Sequence, residues 1–245
     1  MAETINKEVE AFRFKEFAVE QDQCAMKIGT DGILLGAWAS TEKVQKVLDI
    51  GTGCGVVAIM IAQRAQSAEV HGIEIEAAAH QQATANMADS PWSANLKAIH
   101  KSIQDYAKLS REEYDLIVSN PPFFSGGTFS LNENRNNVRH TVKLAHGDLL
   151  SASRKLLSKN GKLCIILPLM EGLRLKELCE SYRLYCTKIT EIKSRPDKST
   201  ERLLMQFEKT EKEVVKEELV VYASPRSKKY SAAYIELTKA YYLNM

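Results

Sequence analysis

The sequence predicts an α/β domain whose mostly parallel sheet carries helices on both faces. Short apolar runs rich in β-branched residues alternate with segments of helical composition, which is the pattern of parallel sheets. The 245 residues include 44% apolar and 26% charged side chains, an ordinary globular composition. This length suits one large core, because single cores stop growing at about 250–300 residues.

The first half of the chain predicts four strands and two helices. Residues 46–50 form a β-branched-rich run that ends at Gly51, and we expect a buried strand there. The segment 56–65 is apolar on most sides, which favours a helix packed under a sheet. After it we expect a strand at 69–75, an Ala- and Gln-rich helix at 76–89, a weaker strand at 97–100 and a clear one at 114–119.

The second half predicts a helix and then the strands that complete the sheet. Leu149, Ser153 and Leu156 share one helical face, because they are separated by one helical turn each. Beyond them we expect a strand at 162–167 and a helix at 171–181. Two or three strands should follow, near 184–192, 203–207 and 219–222, and then a terminal helix near 232–242.

Two segments depart from this alternation. An aromatic pattern near the start indicates a short strand or hairpin ahead of the sheet: Phe12, Phe14, Phe17 and Val19. We therefore expect an N-terminal extension of strand and turn elements, 1–40, before a main domain, 41–245. The segment 121–144 has weak periodicity, and a loop of that length inside a compact domain is usually functional or mobile.

Charge and cysteine content exclude several classes of protein. The 33 basic and 31 acidic side chains leave a net charge of +2, so a nucleic-acid surface requires local clusters. The five cysteines form no CxxC pair, which indicates a reducing compartment. No apolar stretch reaches the ~18 residues of a membrane helix, and the first ten residues are polar. We expect a cytoplasmic protein that does not enter a membrane.

Histidine spacing gives no indication of a metal site. His140 and His146 lack metal-ligand spacing with any other His or Cys, so we expect no bound metal.

A glycine-rich loop is the strongest local signal. Asp49-Ile50-Gly51-Thr52-Gly53-Cys54-Gly55 directly follows one predicted strand and precedes a helix. The glycines allow a sharp turn and close approach of a ligand, and free N–H groups at the helix start favour an acceptor-rich group. The G-x-G-x-G spacing differs from the G-x-G-x-x-G of dinucleotide enzymes. Glu74 ends the next strand, where an acid can accept both hydroxyls of a ribose. Together these motifs predict a nucleoside-binding crevice.

The second signal is Asn120-Pro121-Pro122-Phe123, which ends the predicted strand 114–119. Combined with D-x-G-x-G-x-G, it resembles the Rossmann-like S-adenosylmethionine-dependent methyltransferases that methylate a planar exocyclic or amide nitrogen. The resemblance spans residues 20–170, and it implies a seven-stranded sheet with an antiparallel C-terminal finish. Taken alone, Asn-Pro-Pro is also typical of a strand-ending turn.

The resemblance implies S-adenosylmethionine as cofactor and S-adenosylhomocysteine as product. The residues it implies for cofactor binding are Asp49, Gly51, Thr52, Gly53, Gly55, Glu74, Asp105 and Asn120, with Asp105 on the adenine amino group. The Asn120 side-chain oxygen and the Pro121 carbonyl would accept the two protons of the target nitrogen and free its lone pair. Phe123 would stack on the planar group. Catalysis then rests mainly on positioning.

The rest of the chain narrows the resemblance to one family. The sequence also resembles bacterial enzymes that N6-methylate an adenine of a valine tRNA. This resemblance lies in segments 14–17, 26–32 and 34–38, in Tyr230-Ser231 and in the tyrosines that follow. That adenine is 3′ of the anticodon, at position 37, so the resemblance implies tRNA as partner. It also places Thr30 and Asp31 over the cofactor, although their spacing equally fits a helix N-cap or a turn. The sequence does not indicate an oligomeric state, so we take a monomer as the default expectation.

Two groups of basic residues are candidates to bind tRNA phosphates. The first lies in or after the long loop and consists of Arg135, Arg139 and Lys143. The second lies near the C-terminus and consists of Arg226, Lys228 and Lys229. Nearby tyrosines either stack on bases or pack the terminal helix: Tyr222, Tyr230 and Tyr234.

Two other functions stay open. A methyltransferase of a glutamine side chain in a peptide-release factor would carry the same Asn-Pro-Pro signature, usually with a larger helical N-terminal domain. A nicotinamide-dependent oxidoreductase or a nucleotide-binding regulator would also use a nucleoside crevice, and the glycine spacing counts against both.

Overall fold

The computed structural model describes residues 11–122 and 144–245. Its strands, in chain order, are β1 (Phe12–Arg13), β2 (Ala18–Val19), β3 (Lys46–Ile50), β4 (Glu69–Glu74), β5 (Leu96–His100), β6 (Tyr114–Ser119), β7 (Leu157–Pro168), β8 (Tyr185–Lys193), β9 (Arg202–Glu208) and β10 (Val215–Val220). The first two form a hairpin, and the other eight form one sheet in the order β10-β8-β9-β7-β6-β3-β4-β5.

The predicted fold class is confirmed, since the sheet is mostly parallel and its antiparallel part lies toward the C-terminus. β3 pairs in parallel with both β4 and β6, and β9 runs antiparallel between β7 and β8. The sheet has eight strands in place of the seven that the resemblance implies, because the whole of Val215–Val220 pairs in parallel with residues 188–193 of β8. Strand β7 also starts at Leu157, ahead of the predicted 162.

Helices cover both faces of the sheet. They are α1 (Thr30–Trp38), α2 (Val56–Arg64), α3 (Ala77–Asp89), α4 (Ile103–Leu109), α5 (His146–Leu156), α6 (Leu169–Cys179) and α7 (Ala232–Thr238), with 3₁₀ turns at Ser93–Asn95 and Glu180–Tyr182. Alternate residues of each central strand point to opposite faces. Leu116 and Val118 therefore join the core under α1, α2, α3 and α7, whereas Ile117 joins the core under α4, α5 and α6.

Helices α1 and α4 were not predicted from the sequence. Helix α1 contains Gly32 and Gly36, which lower helix propensity. Gly36 allows α1 to pack closely on α2, because a Cβ there would stand 3.0 Å from the Met60 sulfur. None of the described helices is long and apolar enough to span a membrane.

The N-terminal extension contains a helix as well as the expected hairpin. Phe14, Phe17 and Val19 of the hairpin are buried in the core shared with α2, and the Phe17 ring meets the edge of Trp92 at 5.9 Å. Helix α1 ends at Trp38, just before the expected boundary at residue 40. In the described part of 1–40, a helix with a buried apolar face therefore follows the expected strand and turn elements.

Candidate functional site

The register of the three central strands brings the polar motifs to one edge of the sheet. Ile50, the last residue of β3, pairs with Ile73 of β4 and with Ser119 of β6. The next residues of the three segments are Gly51, Glu74 and Asn120. Since parallel strands end at the same edge, the glycine loop, the acid and the Asn-Pro-Pro turn meet there.

The glycine loop turns sharply between β3 and α2. Gly51, Gly53 and Gly55 have φ values of 72°, 57° and 88°, a left-handed conformation that favours glycine. The backbone N–H groups of Gly51 and Thr52 donate to the carbonyl of Ile73 at 2.9 and 3.0 Å. These bonds hold the loop against the end of β4.

Glu74 connects this loop to the start of α3. Its Oε2 accepts a hydrogen bond from the Gly53 N–H at 2.9 Å. Its Oε1 accepts from the N–H groups of Ile75 and Glu76 at 2.8 and 3.0 Å. The residue is only 8% exposed, so three backbone donors orient a carboxylate that remains at the wall of a cavity.

Asp49 is a buried acid beneath the glycine loop. Its Oδ2 accepts a hydrogen bond from the Thr52 hydroxyl at 2.6 Å. Burial raises the pKa of Asp49 to about 7, although the Thr52 hydrogen bond acts in the opposite direction and the nearby Glu74 adds to the rise. Asp49 is therefore an acid whose charge changes near neutral pH.

Asn120 presents an acceptor that lacks a partner. Within the described residues, its Oδ1 is buried and makes no hydrogen bond. The preceding residue is anchored, because the Ser119 hydroxyl donates to the Ile50 carbonyl at 2.8 Å. A buried polar atom left without a partner costs about 1–3 kcal/mol, so this oxygen is poised for a donor from a ligand.

These residues line a cavity of about 1040 Å³, at the upper end of volumes usual for ligand pockets. The sequence-predicted residues on its wall are Thr30, Asp49, Gly51, Thr52, Gly53, Glu74, Asn120 and Pro121. Phe123, Arg135, Arg139 and Lys143 lie outside the described residues. Arg226, Lys228 and Lys229 lie on an exposed loop that follows Tyr222, which is itself on the wall.

Two predicted residues lie off the cavity wall. A Cβ at Gly55 would make only ordinary contacts with Met87 and Ala83 of α3, at 3.4 and 3.6 Å, so the left-handed φ of 88° is what favours glycine there. Asp105 is exposed in the first turn of α4, where its carboxylate accepts from the Ser102 hydroxyl at 2.8 Å. That hydrogen bond, and then Lys108, holds the pKa of Asp105 below its usual value. The wall there consists of Ser102, Ile103 and Gln104.

Several residues that support the site were missed by sequence reasoning. A Cβ at Gly72 of β4 would stand 2.8 Å from the Thr52 hydroxyl, so only glycine lets the loop lie on this strand. Asn86 of α3 donates to the carbonyls of Cys54 and Glu20, both at 2.8 Å. It thereby ties the glycine loop to the segment before α1. Asn86 and Gln82 are buried polar residues one helical turn apart on an otherwise apolar face of α3. This pattern in the sequence could have indicated their role.

An ion pair also lies on the wall of the cavity. Asp31, in the first turn of α1, accepts from the Arg202 guanidinium at 2.9 Å, and both residues are on the wall. The pair joins α1 to the start of β9 and encloses this side of the cavity. In the described part of the chain, no group of three or more His, Cys, Asp or Glu side chains is placed to hold a metal ion.

Residues 26–183 match the model of the Methyltransferase small domain family. The chain is 38% identical, over 95% of its own length and 97% of the relative's, to a tRNA1(Val) (adenine(37)-N6)-methyltransferase of Histophilus somni. A predicted O-methyltransferase from Agrobacterium tumefaciens has a similar fold, with a TM-score of 0.69 and 17% identity over 86% of this chain and 96% of that one. A glycopeptide N-methyltransferase solved with S-adenosylmethionine aligns over 75% of this chain and 100% of that one, at a TM-score of 0.55 and 10% identity.

The pKa of Asp49 predicts a pH-dependent loss of stability. Between its ordinary value of 3.8 and about 7, the folded protein holds a proton that the unfolded chain has released. Raising the pH through this window therefore favours unfolding. We expect the unfolding free energy, measured in urea at about pH 5 and about pH 8, to fall by roughly 2 kcal/mol more in the parent than in Asp49→Asn. An equal pH dependence in the two proteins would contradict the raised pKa.

Proposed function

Because the chain belongs to the tRNA1(Val) (adenine(37)-N6)-methyltransferase family, we propose that it methylates N6 of the adenine at position 37 of a valine tRNA with S-adenosylmethionine. The observation that carries this proposal is the unpartnered Asn120 oxygen, which shares one cavity wall with the glycine loop and Glu74. A neutral acceptor at this place suits an amine donor, whereas hydride transfer to a nicotinamide would not require it.

Three observations support the binding of S-adenosylmethionine in the cavity. No atom lies within 4 Å of where a Cβ of Gly51 or Gly53 would stand, so the loop leaves open space beside its backbone. The Glu74 carboxylate is pre-oriented and suits a pair of ribose hydroxyls. Ile75, an apolar side chain that is 43% exposed, lies on the wall with Ile103 and offers an apolar surface for a flat base. S-adenosylmethionine, when bound, supplies an electrophilic methyl group on a sulfonium.

The chain's own contribution to the reaction is to hold and orient an amine that is a poor nucleophile. The lone pair of an adenine N6 is delocalised into the ring. Asn120 Oδ1 and the Pro121 carbonyl accept the two N6 protons, which favours a tetrahedral nitrogen with a free lone pair. This interaction strengthens as the nitrogen becomes cationic, so it lowers the barrier more than it tightens binding of the substrate. The prolines restrict the turn, so little backbone freedom remains to be lost.

The remaining predicted residues take roles around this centre. Thr30 on α1 and Asp49 with Thr52 beneath the loop complete the cofactor side of the cavity. At the base end, Ser102, Ile103 and Gln104 line the cavity beside Asp105, whose contact with the adenine amino group stays a prediction. Arg226, Lys228 and Lys229 bind tRNA phosphates, because they are exposed on a loop next to the cavity.

The proposed reaction is tested by nucleoside analysis. The purified protein is incubated with S-adenosylmethionine and unmodified valine tRNA, and the tRNA is digested and examined by mass spectrometry. We expect N6-methyladenosine, and fragment analysis should place it 3′ of the anticodon. Absence of methylated adenine, together with methylation of a glutamine in a release-factor peptide, would overturn the proposal and establish its rival.

Glu74→Gln should weaken cofactor binding. The change keeps the size of the side chain but replaces a carboxylate oxygen with an amide donor, which opposes the backbone N–H groups and the ribose hydroxyls. Hydrogen bonds to a charged group contribute ~1.5–3 kcal/mol, so calorimetry with S-adenosylhomocysteine should show a ten- to hundredfold rise in Kd. The matched control is Glu69→Gln at the opposite end of the same strand. Equal affinities in the parent and Glu74→Gln would remove Glu74 from the site.

Asn120→Ala should slow methyl transfer without a comparable loss of cofactor affinity. Removal of one preorganised hydrogen-bonding group from a reacting centre costs about 10²–10³ in rate. Single-turnover transfer at saturating cofactor and tRNA measures this step directly. Asn120→Asp keeps an oxygen acceptor and should retain more activity than Asn120→Ala. A near-parental rate in Asn120→Ala would refute the assigned mechanism.

The three basic side chains of loop 223–229 should contribute to the salt dependence of tRNA binding. Log Kd changes linearly with log salt concentration, with a slope that grows with the number of phosphate contacts. Joint replacement of Arg226, Lys228 and Lys229 by Gln should flatten this slope. The control replaces Lys97, Lys159 and Lys216, three exposed lysines near the amino ends of their strands. Identical slopes for the two triple variants would assign the loop cations to ordinary solvated surface.

A further inference from the structure

A stack of three tyrosines runs from the protein interior to the cavity. The ring centroids of Tyr222 and Tyr230 are 5.3 Å apart, and those of Tyr230 and Tyr234 are 4.9 Å apart, with interplanar angles of 14° and 28°. Tyr234 is 2% exposed, and its hydroxyl lies 3.2 Å from that of Tyr242, so it packs the terminal helix. Tyr230 is 37% exposed, and Tyr222 is half-buried on the cavity wall. Packing of α7 therefore explains one tyrosine but not the other two.

Arg195 packs on Tyr222, the last ring of this stack. Its guanidinium carbon lies 4.7 Å from the centre of the Tyr222 ring. The same guanidinium donates to the carbonyls of Ser224 and Ser227 at 3.0 and 2.7 Å. Tyr222 and Tyr230 also form an antiparallel bridge across the base of the loop. Because rings, guanidinium and loop are ordered before a ligand arrives, binding loses little conformational freedom.

The loop between the two tyrosines is strongly basic. Residues 223–229 contain Arg226, Lys228 and Lys229 and no acidic residue. All three cations are exposed, and no carboxylate forms an ion pair with them within residues 11–122 and 144–245. Flat aromatic surface beside unpaired cations is the combination that recognises single-stranded nucleic acid, since bases stack and phosphates pair with cations.

We propose that the Arg195 guanidinium, supported from behind by the stacked Tyr222 and Tyr230 rings, is the stacking surface for an unpaired RNA base next to the target adenine. The position of Tyr222 on the wall that also carries Asn120 supports this assignment, because a neighbouring nucleotide must lie at the edge of the same cavity. The cations of the loop bind the phosphates on either side of that base. This inference rests on the proposed function, since it takes RNA as the substrate.

The test uses an anticodon stem-loop that carries fluorescent 2-aminopurine at the nucleotide on one or the other side of the target adenine. The proteins compared are the parent, Tyr222→Leu, Tyr222→Phe and Tyr230→Leu. The control is Tyr185→Leu, a partly exposed tyrosine at the start of β8 and thus at the opposite edge of the sheet. Stem-loop affinity, its salt dependence, fluorescence quenching and affinity for S-adenosylhomocysteine are measured for each protein.

Loss of stacking should be distinguishable from loss of charge. Because the Tyr222 ring supports the guanidinium on which the base stacks, stem-loop affinity should fall roughly tenfold or more in Tyr222→Leu and less in Tyr230→Leu. The slope of log Kd against log salt should stay parental, because no phosphate contact is removed. Tyr222→Phe should keep both affinity and quenching, and all variants should bind S-adenosylhomocysteine as the parent does.

Two outcomes would overturn the inference. One is parental affinity and quenching in both Tyr222→Leu and Tyr230→Leu. The other is a loss of RNA binding in Tyr222→Leu that comes with an equal loss of S-adenosylhomocysteine binding, which would indicate a role in the fold. Failure of the proposed function gives a separate result, because the parent itself would then leave the stem-loop unmethylated.

Discussion

The parallel pairing of β3 with both β4 and β6 is the constraint on which the site depends. Ile50 pairs with Ile73 and Ser119, so the three strands end at one level of the sheet. Backbone hydrogen bonds then continue this register into the loops, since the Ile73 carbonyl accepts two N–H groups of the glycine loop. A one-residue slip would move every side chain to the other face and would separate Glu74 from Asn120.

The site contains two carboxylates, those of Asp49 and Glu74, and one uncharged acceptor, the side-chain oxygen of Asn120. Asp49 and Glu74 are both buried, and Glu74 raises the pKa of Asp49, so the two acids disfavour simultaneous charge. Three backbone donors stabilise Glu74, whereas Asp49 has the Thr52 hydroxyl. Asn120 stands apart from both as an uncharged acceptor. An amide oxygen can accept from an amine without competing for its proton, which suits a reaction in which the nitrogen must remain free to attack.

The sequence was sufficient to predict the residues with a local signal. The D-x-G-x-G-x-G spacing, Glu74 at a strand end and Asn-Pro-Pro at another strand end each depend on a few neighbouring residues, and each lies on the cavity wall apart from Gly55. Parallel α/β topology follows from the alternation of elements, so the meeting of these motifs at one edge was also predictable. Asp105 was assigned through the resemblance, and its side chain is exposed beside the wall formed by Ser102, Ile103 and Gln104.

The features that could not be predicted depend on tertiary contacts. A glycine is required at position 72 because the Thr52 hydroxyl would clash with a Cβ there. Asn86 supports the site because the chain before α1 folds back onto α3 and accepts its hydrogen bond. The start of β10 is another example: a strand was expected near 219–222, but the exposed residues from Val215 onward give little apolar signal. The Arg195 contact with Tyr222 likewise joins segments that are separate in sequence.

The role of Asn120 is tested most directly by a crystal structure with S-adenosylhomocysteine and an anticodon stem-loop of valine tRNA. We expect the target adenine to lie in the cavity with its N6 within about 3.2 Å of Asn120 Oδ1, a hydrogen-bond distance. We also expect the ribose of S-adenosylhomocysteine to contact Glu74. A base held with its amino group against another side chain, with Asn120 Oδ1 still unpartnered, would refute this role.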